Sequence, residues 1–198
     1  MKNMIWPSKL QPGDSVALIA PSSRSEAEKT EIAAESLRYL GLSPKIYPSC
    51  FCSHGYFSGD DARRAADLNA AFADHEVKGI FCLRGGYGAT RLLKLLDYET
   101  IAANPKVFCG YSDITALHTV FNRLCGFITF HAPMPNTDYT TMDEFSLHSL
   151  KDAVFGNPSK RVLLPPPGTS MTSLCGGSAC GKLVGGNLSL LTATLGSP

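Results

Sequence analysis

The sequence predicts an α/β protein: a parallel sheet with helices on both faces, followed by the start of a second domain. Three observations carry this. Short apolar runs alternate with segments of helical periodicity from Ser15 to about Leu124. The apolar runs lack polar alternation, as parallel strands buried on both sides do. After about Lys160 the composition shifts to Pro, then to Gly, Ser and Thr. Residues 1–160 therefore read as a flavodoxin- or Rossmann-like domain, 161–175 as a Pro/Gly-rich linker, and 176–198 as the beginning of an incomplete second domain.

Taken in order, "SVALIA" (15–20) is a buried first strand. "SEAEKTEIAAESLRYLG" is a helix, with Ala33, Leu37 and Leu40 on one face and Gly41 as its stop. "SPKIYP" is a short second strand. "GDDARRAADLNAAFAD" is a second helix, capped by Asp60 or Asp61, with Ala65, Leu68 and Phe72 inward. "KGIFCL" is the third strand and leads through "RGGYG" into a short helix, "ATRLLKLLD". "KVFC" is the fourth strand and leads through "GYSD" into a helix from about Asp113 to Leu124. Its apolar face is Ile114, Leu117, Phe121 and Leu124. "GFITFHAPM" is a further strand and loop. Past the linker "LLPPPGTS", the tail offers one short strand and one helix, "NLSLLTATLG". Twenty-odd residues cannot build a core of their own.

Composition narrows the function. The chain has 198 residues, 44% hydrophobic and 18% charged, with a formal net charge of +1. Without a Lys/Arg run, no dedicated nucleic-acid surface is expected. No apolar run approaches a membrane-spanning length. "VALIA" is too short for a signal-peptide core, which leaves the cytoplasm as the expected location. The seven cysteines are odd in number; Cys50-x-Cys52 lacks zinc spacing, and Cys175 and Cys180, a half-site by spacing, have no second Cys or His pair at the right distance. They read as reduced and structural, with no metal site.

Right-handed crossovers place "APSS" (20–23), "RGGYG" (84–88) and "GYSD" (110–113) together at the carboxyl edge of the sheet, where such folds bind ligands. "RGGYG" suits an anion nest or a plain connecting turn. It is neither a dinucleotide fingerprint, since Arg91 stands where the third Gly belongs, nor a Walker loop. "GYSDI" has the strand–turn–helix setting of a nucleophile elbow, but Ile114 replaces the usual Gly. Ser and Asp before a helix are also the commonest caps. A nucleophilic Ser needs a base within about 3.2 Å. His118 lies six residues on, roughly 8–9 Å along a helix, and reads as a packed core histidine. His131 reads as a loop-packing residue, and His54, His75 and His148 have no mechanistic setting.

The blocks "VALIAPSS", "RGGYGATRLL", "KVFCGYSDITALH", "ITFHAPM" and "GKLVGGNLSLLTATLGSP" resemble the LD-carboxypeptidases, in order and spacing, over about Asp14 to Pro198. That family includes muramoyltetrapeptide carboxypeptidases and microcin C immunity hydrolases. The resemblance implies a serine peptidase with a Ser-Glu-His triad. It places the nucleophile at Ser112 and the oxyanion donors at the backbone N–H groups of Gly86 and Asp113. Arg84, Gly85, Tyr87 and Asn187 are the expected substrate-binding positions. The implied substrate is a small peptide with a terminal D-amino acid, typically a murein tetrapeptide cut to a tripeptide and D-Ala in cell-wall recycling. No metal or cofactor is implied, and a homodimer is in keeping with the family. Family members are longer, with the triad Glu and His beyond the "GGNL" block, so this chain is expected to be truncated and nearly inactive alone. Ala132 and Ser197 depart from the family's usual Gly and Thr. The alternative is a non-catalytic α/β module that binds a peptide or an anion.

Overall fold

Val16 to Ile19 are buried on both sides of a single extended run, which an interior parallel strand requires. In the computed structural model, which describes residues 4–156 and 162–196, this run is β1 (Ser15–Ile19). It joins β2 (Ser43–Ile46), β3 (Val77–Cys82), β4 (Val107–Gly110) and β5 (Phe130–His131). The order is β2-β1-β3-β4-β5, with every pairing parallel.

Helices cover both faces, as the alternation predicts. α1 (Ala27–Tyr39) and α5 (Glu144–Phe155) bring Ala33, Leu37, Leu150 and Val154 onto Val16, Leu18, Phe81 and Cys109. α2 (Asp61–Ala73), α3 (Tyr98–Ala103) and α4 (Thr115–Val120) bring Leu68, Phe72, Ile101 and Leu117 onto the other face. There Phe72 meets the rings of Phe108, Phe121 and Phe127. Asp60 caps α2, accepting the Arg63 N–H at 2.7 Å. The loops after β1 and β3 run to opposite faces, so a crevice opens between them at the carboxyl edge.

The short helix expected after "RGGYG" is present as a 3₁₀ helix, Ala89–Leu95, whose first N–H is taken by a side chain from another element. Two elements differ from the sequence reading. α3 has no counterpart in the reading; Asp97 starts it by accepting the Thr100 N–H and hydroxyl at 3.0 and 2.6 Å. The helix after β4 ends in a π turn, Phe121–Cys125. A wider turn rotates the last inward position by one residue. Cys125 is therefore buried, and Leu124, expected inside, is 56% exposed.

The tail has no regular element from 162 to 187, and then α6 (Leu188–Ala193). The helix is as expected. The short strand is absent among the described residues, since a lone extended segment has no ladder to join. The expected linker boundary at 160–161 and the Ser197 departure lie outside the described residues.

Candidate active site

β4 ends at Gly110, Tyr111 is extended, and Ser112 turns the chain with φ 63°. A left-handed conformation at a non-glycine residue costs about 1–3 kcal/mol and persists only where its surroundings enforce it. Several groups do so here. The Ile114 N–H returns to Tyr111 O at 3.3 Å. His118 Nε2 bonds Gly110 O at 2.9 Å. The Asp113 carboxylate is buried and accepts the Ser22 hydroxyl at 2.7 Å and the Ala89 N–H at 2.8 Å. Neither Ser112 nor Asp113 makes a side-chain cap to the helix. The half-buried Ser112 hydroxyl has no hydrogen-bond partner among the described residues.

The "RGGYG" loop closes on this turn. A Cβ built on Gly85 would lie 3.1 Å from Ser112 Cβ, 3.3 Å from its Oγ and 3.5 Å from the Asp113 nitrogen. A side chain there would press Ser112 aside by a few tenths of an ångström. Gly86 has φ +116°, and a Cβ there would collide with Ser23 Oγ, so both its conformation and its space demand glycine. Ser23 Oγ accepts the Tyr87 N–H at 3.1 Å, and Ser23 N–H donates to Gly85 O at 3.4 Å. Tyr87 is 53% exposed above the loop. Arg84 Nη1 donates to Arg24 O at 3.1 Å. The three loops thus meet at one edge, as the crossover rule requires, with Arg84, Gly85, Gly86, Tyr87, Ser112 and Asp113 together. Asn187 joins from the tail. Its N–H donates to Thr115 Oγ1 at 2.9 Å, three residues beyond Ser112, and its Oδ1 caps α6 through the Leu190 N–H.

His118 is the packed histidine the sequence suggests. A carbonyl only accepts, so Nε2 carries the proton to Gly110 O. Burial pulls its pKa down to about 4, against the pull of the Gly110 carbonyl, so the ring is neutral near pH 7. Its bonded nitrogen is committed to the backbone and its Nδ1 is buried without a partner. His131 ends β5, with its ring 6.1 Å from that of Tyr111. Among the described residues no His, Asp or Glu bonds the Ser112 hydroxyl. Burial pushes the Cys82 and Cys109 thiols up, which keeps them protonated. No three His, Cys, Asp or Glu among the described residues gather as a metal site would need.

Sequence reasoning missed Ser22, Arg64 and Thr115. Arg64 is 1% exposed and donates to Pro21 O, Gly59 O and Gly88 O. A signal was present: Arg64 stands one turn before Leu68, on the apolar stripe of its helix. Ser22 is marked only by its place in "APSS" at the carboxyl edge, and Thr115 has no such mark.

Sheet order and loop cluster define an α/β protein of flavodoxin-like order whose site is built from strand-to-helix loops. The LD-carboxypeptidase N-terminal domain family matches residues 16–132, and the chain belongs to that family. A probable murein peptide carboxypeptidase of Bacillus subtilis is 41% identical over 194 residues, covering 97% of this chain and 60% of that protein. This chain therefore spans less than two thirds of that relative. The solved structure of an MccF-like protein from Bacillus anthracis superposes with TM-score 0.73 at 32% identity, over 77% of this chain and 48% of that one. The microcin C7 self-immunity protein MccF in its apo state shares the fold, with TM-score 0.82 at 24% identity over 98% of this chain and 66% of that one.

Proposed function

We propose that this chain carries the nucleophile and oxyanion loops of a serine-type LD-carboxypeptidase acting in the cytoplasm on murein peptides. Ser112 Oγ attacks the carbonyl of the amide that joins an L-centre to a terminal D-amino acid. The tetrahedral oxygen is taken by the N–H groups of Gly86 and Asp113. The amide breaks, the D-amino acid leaves with a proton on its nitrogen, and water releases the acyl group from Ser112. Arg84, Gly85, Tyr87 and Asn187 line the substrate, a tetrapeptide cut to a tripeptide and D-Ala. No cofactor enters the reaction, and the protein works as a homodimer.

The observation that carries this reading is Ser112 itself: left-handed backbone, an unpartnered hydroxyl, and Gly85 against it. The murein peptide carboxypeptidase name of a relative supports the substrate class. No described residue activates the hydroxyl, so the reading expects little turnover from these 198 residues alone and calls for the family's Glu and His. A fluorophosphonate tests it. Mass spectrometry after prolonged incubation at mildly alkaline pH should find the adduct on Ser112, and Ser112→Ala should abolish it. Preferential labelling of another serine, or none at Ser112, overturns the reading.

A further inference from the structure

Two buried charges of opposite sign grip a single peptide bond beside the candidate oxyanion loop. Arg64 Nη1 donates to Gly88 O at 3.0 Å, and Asp113 Oδ2 accepts the Ala89 N–H at 2.8 Å. That carbonyl and that N–H belong to one peptide group. The same two side chains also hold the loop after β1: Arg64 Nη1 donates to Pro21 O at 2.6 Å, and Ser22 donates to Asp113 Oδ2 at 2.7 Å. Arg64 is anchored further by Gly59 O at 3.2 Å, by the Asp61 carboxylate and by the Phe57 ring, 4.9 Å away. Arg64 is 1% exposed and Asp113 fully buried.

The polarity of this grip has a consequence. The guanidinium faces the negative end of the peptide dipole and the carboxylate faces the positive end. Flipping the peptide would turn the carbonyl oxygen toward the carboxylate and the N–H toward the guanidinium. Inside the protein, where water screens little, both contacts would be repulsive. Neutral partners would oppose the flip less, since charged hydrogen bonds are roughly twice as strong. The gripped peptide lies two residues beyond Gly86, and Ser23 fixes the intervening Tyr87 N–H. Segment 85–89 is therefore tied at each end and in the middle.

We propose that Arg64 and the Asp113 carboxylate are positioning residues that lock the Gly88–Ala89 peptide and thereby hold the Gly85–Tyr87 backbone preorganised against Ser112. This rests on Ser112 being the nucleophile. Neither side chain touches the reacting atoms; both act through the loop. Burial draws the Arg64 guanidinium below its ordinary pKa while Asp61 opposes the shift, and the group remains charged.

The test uses the intact chain with Arg64→Lys, Asp113→Asn and Arg64→Gly. Lys keeps the charge but loses the fork that reaches separate carbonyls. Asn keeps the shape but loses the charge. Amide hydrogen exchange at residues 85–89 reads the lock; the rate of fluorophosphonate labelling at Ser112 reads its effect. Each variant should exchange faster at 85–89 while β1 and β3 stay protected, and should label about tenfold more slowly or worse. Ethylguanidinium should restore both readouts in Arg64→Gly and leave the wild type unmoved. Faster exchange with unchanged labelling overturns the proposal. So does loss of protection across the whole sheet in all three variants, which would make the pair a support of the fold only. If the wild type takes no label at Ser112, the nucleophile reading fails, while the exchange arm still decides whether the lock exists.

Discussion

"RGGYG" and "LVGGN" are both rich in glycine, both lie against the start of the helix after Ser112, and they are held in opposite ways. The first is tied by buried side chains from three other segments: Ser23 and Arg64 at backbone groups within the loop, and Asp113 at the adjoining Ala89 N–H. The second is tied by the Thr115 hydroxyl and by Leu190, which packs on the core beside α4. Leu183, Val184 and Leu188 around it are 88%, 77% and 73% exposed. Glycine permits both shapes and fixes neither. What fixes a loop is the number of buried polar groups that the rest of the fold brings to its backbone.

The contrast extends to stability, and the largest expected effect lies in the body. Phe72→Ala removes a ring packed on Phe108, Phe121 and Phe127, and should cost about 3–5 kcal/mol in urea unfolding. Leu183→Ser in the tail should move the midpoint by less than about 0.5 kcal/mol. Comparable losses at the two positions would erase the distinction.

Next comes His118, beneath the Ser112 turn. Its pKa falls from 6.5 to about 4 on folding. Between those values the unfolded chain binds more protons than the folded one. The neutral ring's contribution is therefore complete above pH 6.5 and is lost as pH falls toward 4, on the order of 3 kcal/mol in all. Unfolding free energies across that window should show this slope, and His118→Gln, which keeps a donor for Gly110 O, should flatten it. A slope unchanged by the substitution would assign it to other groups.

The sheet and the loop cluster were legible in the sequence because each rests on local pattern. Apolar runs such as "SVALI" announce buried strands, and the crossover rule then gathers the loops that follow them. Local pattern left Ser112 as a pair of alternatives, nucleophile or cap, and only the resemblance to the LD-carboxypeptidases favoured the first. A dihedral angle and a missing cap hydrogen bond remove the cap, and no sequence pattern encodes either. The π turn escaped notice because Leu124 continues the helical period perfectly; its exposure follows from one wide turn. Arg64 was overlooked because an arginine among alanines resembles a solvated helix face. Its burial depends on carbonyls from loops 24 and 43 residues away in sequence.

The last effect, small and confined to the tail, is also the sharpest probe of the contrast. Thr115 is fully buried, yet its hydroxyl accepts the Asn187 N–H, and a Cβ on Gly186 would lie 2.5 Å from its Cγ2. Thr115→Val keeps the shape that packs on the body and deletes the acceptor that holds the Asn187 N–H. The half-buried Asn187 N–H can turn to water, so the local loss should be about 1 kcal/mol. Amides of α6 should exchange faster, and limited proteolysis between 162 and 187 should release the C-terminal fragment sooner. The urea midpoint of the body should stay within about 0.5 kcal/mol, and Thr115→Ser should restore protection. A matching fall in the body's midpoint would mean that the tail is part of the same cooperative unit as "RGGYG". Its sparse attachment would then understate how firmly Asn187 is held beside Ser112.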